Sequence, residues 1–64
     1  MTVKEFTQVF DSKSIFYLYN EQGKVLQKMG VKFSDKTEYK DYLVKKVKYN
    51  DMAVFVTITN SNND

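Results

Sequence analysis

The sequence predicts an α+β domain: an N-terminal helix, then two antiparallel β-hairpins with a short helical or loop segment between them, forming a small twisted sheet with the helix on one face. Three observations predict it. Val3, Phe6 and Phe10 recur at helical spacing behind a polar cap. Two later stretches, 15–33 and 44–59, are rich in β-branched and aromatic residues, and each is broken once by turn residues. Leu, Ile, Val and Phe account for 18 of 64 residues, above the roughly 20% below which a highly charged chain stays disordered.

The helix is expected over Thr2 to Phe10. Thr2-Val3-Lys4-Glu5 fits a capping box, in which the Thr2 hydroxyl accepts from the Glu5 amide and the Glu5 carboxylate accepts from the Thr2 amide. Asp11-Ser12-Lys13-Ser14 is polar and ends it. Ile15 to Asn20 then reads as a strand and Glu21-Gln22-Gly23 as a three-residue turn closed by a left-handed glycine. Lys24 to Met29 reads as the returning strand, with a continuation to Phe33 left open and Gly30 a candidate bulge or bend. Pairing Asn20 with Lys24 places Ile15, Tyr17, Tyr19, Val25, Gln27 and Met29 on one face, and Phe16, Leu18, Lys24, Leu26 and Lys28 on the other.

Residues 34–43 read as either helix or structured loop. Asp35-Lys36-Thr37-Glu38 resembles a second capping box, and Tyr39, Tyr42 and Leu43 stand at helical spacing. Val44 to Tyr49 and Met52 to Thr59 form the clearer hairpin, with Asn50-Asp51 suited to a type I′ turn. A two-residue loop pairs Tyr49 with Met52, Val47 with Val54, Lys45 with Val56 and Leu43 with Ile58 on the core face. It leaves Val44, Lys46, Lys48, Ala53, Phe55 and Thr57 on the opposite one. Residues 1–59 are thus expected to be one domain, and the wholly polar 60–64 a disordered tail.

Absences narrow the chemistry. The chain has no Cys, His, Pro or Trp, and all ten of its basic residues are lysine. Zinc sites, iron–sulfur sites, disulfides, thiol nucleophiles and histidine general bases are excluded. So are bidentate guanidinium contacts to carboxylate, phosphate or guanine. Gly23 and Gly30 are the only glycines and fit no phosphate-binding loop. Ser12, Ser14 and Ser34 lack a histidine partner, and Asp35, Glu38 and Asp41 have the spacing of a solvated turn and not of a calcium loop. A non-enzymatic protein without cofactor or metal is expected. At this length a core supplies only about 3–5 kcal/mol, so regular packing or homo-oligomerisation must add stability.

The sheet's second face is the candidate interaction surface: Phe16, Leu18, Lys24, Leu26, Lys28, Lys46, Lys48 and Phe55, with Val44 among them. Three readings compete. Lysine stems lie over the apolar groups with their heads in water; or the patch is a surface for a protein partner or a second copy. In the third, lysines follow a nucleic-acid backbone while aromatic rings stack on bases, with weak sequence preference in the absence of arginine. The net charge of +2 is only mildly basic. No stretch reaches the roughly 18 apolar residues of a membrane span and no secretory signal pattern is present, so a cytoplasmic protein is expected.

Thr2-Val3-Lys4-Glu5-Phe6, Asn20-Glu21-Gln22-Gly23-Lys24 and Tyr49-Asn50-Asp51 together resemble the layout of short uncharacterised accessory proteins carried by phages and conjugative elements of Gram-positive bacteria. The resemblance implies a binding or regulatory role toward host or element and supplies no functional residues. Relatives are often acidic and this chain is basic, which argues against a DNA mimic. The expectation is an interaction module using its Lys/Phe face on a protein partner or itself, the alternative being sequence-tolerant nucleic-acid binding.

Overall fold

The capping box forms as its spacing predicts. The Thr2 amide donates to Glu5 Oε1 at 2.9 Å and the Glu5 amide to Thr2 Oγ1 at 3.2 Å. The Thr2 amide first, and the Thr2 hydroxyl second, hold the Glu5 carboxyl below its usual range. The computed structural model describes residues 1–51 and 53–60, and in it the helix, α1, spans Val3–Thr7. It is shorter than the expected run to Phe10. Little more than one turn cannot stand on propensity alone, and tertiary bonds hold it: the Val3 amide donates to the Tyr42 carbonyl and the Lys4 amide to the Lys40 carbonyl. Phe10 is reached by a turn, its amide bonded to the Thr7 carbonyl at 3.2 Å.

Four strands follow, β1 (Ile15–Tyr19), β2 (Val25–Gly30), β3 (Leu43–Asn50) and β4 (Ala53–Thr59). The α+β class holds, and the sheet is mixed. Its order is β2-β1-β4-β3, with β1–β2 and β3–β4 antiparallel and β1–β4 parallel at the centre. Parallel neighbours require a crossover. Here residues 31–42 leave edge strand β2 and enter the opposite edge strand β3, so that β4 returns beside β1.

The β1–β2 turn is built by Asn20, whose Oδ1 accepts from the amides of Gln22 and Lys24, both at 2.9 Å. Gly23 closes it at φ +86°, a left-handed conformation that costs glycine little. Gly30 is an ordinary end to β2, with φ −92° and ψ 175°, and is not a bulge. A 3-10 turn, Val31–Phe33, follows in place of a longer strand. Residues 34–42 continue as successive turns with no helix for Asp35 and Glu38 to cap, and Thr37 Oγ1 donates to Gln27 Oε1.

Two bulges correct the expected registers. Between Leu18 and Tyr19 the partner changes from Gln27 to Val25, leaving Leu26 as the extra residue and pairing Phe16 with Met29 and Tyr17 with Lys28. In β3–β4 the pairs are Asn50 with Ala53, Tyr49 with Val54 and Val47 with Val56, two positions along β4 from the expected ones. The turn therefore begins at Asp51, with φ +53°, and Met52 lies outside the described residues. A second bulge at Lys45 brings Val44 opposite Ile58 and turns Lys45 outward. Of the expected tail only Asn60 is described, and it is outside β4.

The core is Val3, Phe16, Leu18, Met29, Val54, Val56 and Ile58. Phe6, Phe10, Val31, Tyr39 and Tyr42 cover it from α1, the following turn and the 31–42 segment. Phe6, Phe10 and Phe16 pack as rings 5.1 to 6.2 Å apart. Buried polar groups on this side are satisfied: Thr7 Oγ1 donates to the Lys4 carbonyl, Ser34 Oγ to the Val31 carbonyl, and Gln8 Nε2 to Ser34 Oγ. The N-terminus also covers β3's outer edge, through a Thr2–Leu43 bridge and a bond from the Val44 amide to the Met1 carbonyl.

Candidate functional site

One face of the sheet carries all of this cover, and the other carries none. Period-two alternation along the parallel pair sets Ile15 beside Ala53, Tyr17 beside Phe55 and Tyr19 beside Thr57 on the uncovered face. All six are half-buried. Tyr17 and Phe55 stack at 5.1 Å between centroids and 26° between planes, and Tyr19 lies 6.1 Å from Phe55 on its other side. The result is a continuous aromatic strip, Tyr17–Phe55–Tyr19, running over the two central strands.

Neither central strand contains a charged residue. Charge enters at the edges. Lys28 of β2 is opposite Tyr17, with its Nζ 5.6 Å from the centre of that ring. Lys46 and Lys48 of β3 are opposite Thr57 and Phe55, and both are exposed. Lys45, turned outward by its bulge, is paired instead, its Nζ 3.0 Å from Glu21 Oε1. The Thr59 hydroxyl, and then Lys45, hold the Glu21 carboxyl below its usual range. Among the described residues no ion pair engages Lys28, Lys46 or Lys48.

The charge is also segregated by layer. Segments 2–14 and 31–42, which cover the core, hold five lysines and five carboxylates. The strands and their two turns hold five lysines against Glu21 and Asp51 alone. The net positive charge of the chain therefore belongs to the sheet.

Two depressions flank the strip. One, of about 380 Å³, is lined by Tyr19, Phe55, Thr57, Lys46 and Lys48. The other, of about 410 Å³, is lined by Ile15, Tyr17, Lys28, Asn50, Asp51 and Ala53, Asp51 being its one carboxylate. Both are open and shallow, shapes that suit a flat group laid against the sheet.

Of the residues the sequence nominated, the open face brings together Lys28, Lys46, Lys48 and Phe55. Phe16 and Leu18 are corrected into the core at 0% exposure, Leu26 packs half-buried against that core, and Val44 joins it through the bulge. Lys24 stands exposed in the β1–β2 turn. Sequence parity placed Tyr17 and Tyr19 on the wrong side. Their hydroxyls were the available signal: burying Phe16 and Leu18 costs no polar desolvation, whereas a buried tyrosine needs a partner for its O–H. Among the described residues no group of three or more carboxylates is placed to hold a metal ion, and no helix is long and apolar enough to cross a membrane. No protein family, curated protein or solved structure matches the chain.

Proposed function

We propose that the protein is a non-enzymatic binding module that takes an acidic macromolecular partner on the open face of its sheet. The observation that carries this reading is the strip Tyr17–Phe55–Tyr19 lying uncovered between unpaired lysines on both edges. A contiguous apolar surface with a charged rim is the anatomy of an interface. The sign of the rim selects the partner. Two copies meeting face to face would bring Lys28, Lys46 and Lys48 of each toward the same set of the other, and juxtaposed like charges are costly. An anionic partner gains from the same arrangement. A host or element macromolecule as that partner agrees with the resemblance to accessory proteins of phages and conjugative elements.

The test compares two charge-matched variants on an immobilised polyanion, heparin, under a salt gradient. Lys46→Glu with Lys48→Glu changes the open face, and Lys36→Glu with Lys40→Glu changes the covering segment by the same charge. The first should elute at clearly lower salt than the second. Equal elution would mean that retention follows net charge alone and would reject the face. Sedimentation at several concentrations reads the competing occupant: a concentration-dependent dimer abolished by Phe55→Leu would make this face a self-association surface.

A further inference from the structure

We infer that the acidic partner is a single-stranded nucleic acid, its bases stacked on Tyr17, Phe55 and Tyr19 and its phosphates met by Lys28, Lys46 and Lys48. This rests on the open face being the binding surface and adds the class of ligand. The aromatic strip is the discriminating feature. An acidic peptide would satisfy the lysines, but its carboxylates offer no aromatic face to three half-exposed rings. A duplex offers phosphates while keeping its base faces inside its own stack. Only an unpaired strand supplies π-faces and phosphates along one chain, the combination that sheet-based single-strand binders use.

The dimensions agree. Neighbouring strands lie about 4.8 Å apart, so lysines on β2 and β3 border a platform roughly 14 Å wide with the rings over its two central strands. Ring neighbours 5.1 and 6.1 Å apart exceed the roughly 3.4 Å per nucleotide of a stacked strand, and so suit a chain drawn out across the face. Lys28 Nζ rests over the Tyr17 ring, so a base that stacks there displaces this exposed ammonium toward the adjoining phosphate, within reach of its flexible stem. Two carboxylates border this face: Glu21, beside Lys46 and Thr57 but paired with Lys45, and Asp51 at the β3–β4 turn end. With no arginine to fork onto base edges, recognition is by stacking and charge, and it is sequence-tolerant.

Fluorescence anisotropy of the full chain against labelled dodecamers tests the inference: oligothymidylate, oligouridylate, a mixed-sequence duplex, and a polyglutamate peptide as competitor, at 50 and 200 mM salt. The single strands should bind, and at least tenfold more tightly than the duplex. Three lysine contacts predict a log–log salt slope of about −2, a loss of roughly 15-fold between the two salts. Phe55→Leu keeps an apolar cover on the sheet but removes the π-face, and should weaken binding about tenfold or more with the melting temperature nearly unchanged. Tyr17→Phe keeps the ring and should bind like the parent. The oligothymidylate and oligouridylate arms assign DNA or RNA. No single-strand binding at 50 mM salt, or a duplex bound as tightly, overturns the inference. Should polyglutamate bind instead, with loss on Lys46→Glu/Lys48→Glu, the ligand class falls while the open face stands. Should heparin retention also ignore the face, both fall.

Discussion

The two faces of one sheet are made from alternate residues of the same strands, and they differ in almost every property. On β1, Phe16 and Leu18 are sealed while Ile15, Tyr17 and Tyr19 are half open; on β4, Val54, Val56 and Ile58 are sealed while Ala53, Phe55 and Thr57 are half open. Hydrophobicity alone does not separate these sets, since both are apolar or aromatic along β1. Polar atoms separate them in one direction: each sealed residue is pure hydrocarbon, and the tyrosine hydroxyls and Thr57 all fall on the open side, beside Ile15, Ala53 and Phe55. Cover also differs. Twelve residues of crossover, 31–42, and the short α1 protect one side, and the chain has no further segment among the described residues to protect the other. A domain this small can seal a single face, and it leaves aromatic surface on the second.

The largest effect that separates the faces is a deletion on the sealed side. Leu18→Ala or Phe16→Ala should cost about 3–5 kcal/mol, comparable to the whole stability expected of a chain this length. Circular dichroism should show either variant largely unfolded at 25 °C. On the open side, Lys46→Gln with Lys48→Gln should leave the melting midpoint within experimental scatter while weakening the partner contact. An unfolded Gln variant would show that the open face carries stability.

The turns give a smaller contrast. Gly23→Ala forces a side chain to φ +86° and should cost about 1 kcal/mol, whereas Gly30→Ala meets open space at an ordinary φ and should be neutral or slightly stabilising. Urea midpoints of the two variants decide this. Equal losses would mean that Gly30 has a role beyond ending β2.

The smallest effect is pH-dependent and belongs to the covered side. Glu5 has its folded pKa depressed by Thr2, so its contribution is complete above the unfolded carboxylate pKa and is lost as pH falls through the folded one. Glu5→Gln should remove that part of the acid sensitivity, seen as a shallower fall in melting temperature below the carboxylate range. An unchanged profile would place the acid sensitivity elsewhere.

What could be read from the residues followed local chemistry. The Thr2–Glu5 box, the Asn20–Gly23 turn and the β4 parity that buries Val54, Val56 and Ile58 each depend on a few neighbouring side chains. What could not be read depends on single-residue insertions and on long-range docking. The bulges at Leu26 and Lys45 invert the expected faces on part of a strand, and no residue there advertises them. The parallel β1–β4 pairing is set by the 31–42 crossover, whose own structure the sequence left undecided between helix and loop. Of the nominated surface, Lys46, Lys48 and Phe55 fall on the open face because β3 and β4 keep their parity near the turn, Lys28 joins them from β2, and Lys24 stays in the β1–β2 turn. Phe16 and Leu18 stood where Tyr17 and Tyr19 belong.

Backbone amide NMR of the full chain during titration with oligothymidylate tests the central claim most directly, because it reads every described face at once. Shifts concentrated on Tyr17, Tyr19, Lys28, Lys46, Lys48, Phe55 and Thr57, with α1 and residues 31–42 unmoved, are the predicted result. Shifts centred on α1 or the crossover, or none at 50 mM salt, would contradict the assignment of the open face as the binding surface for a single strand.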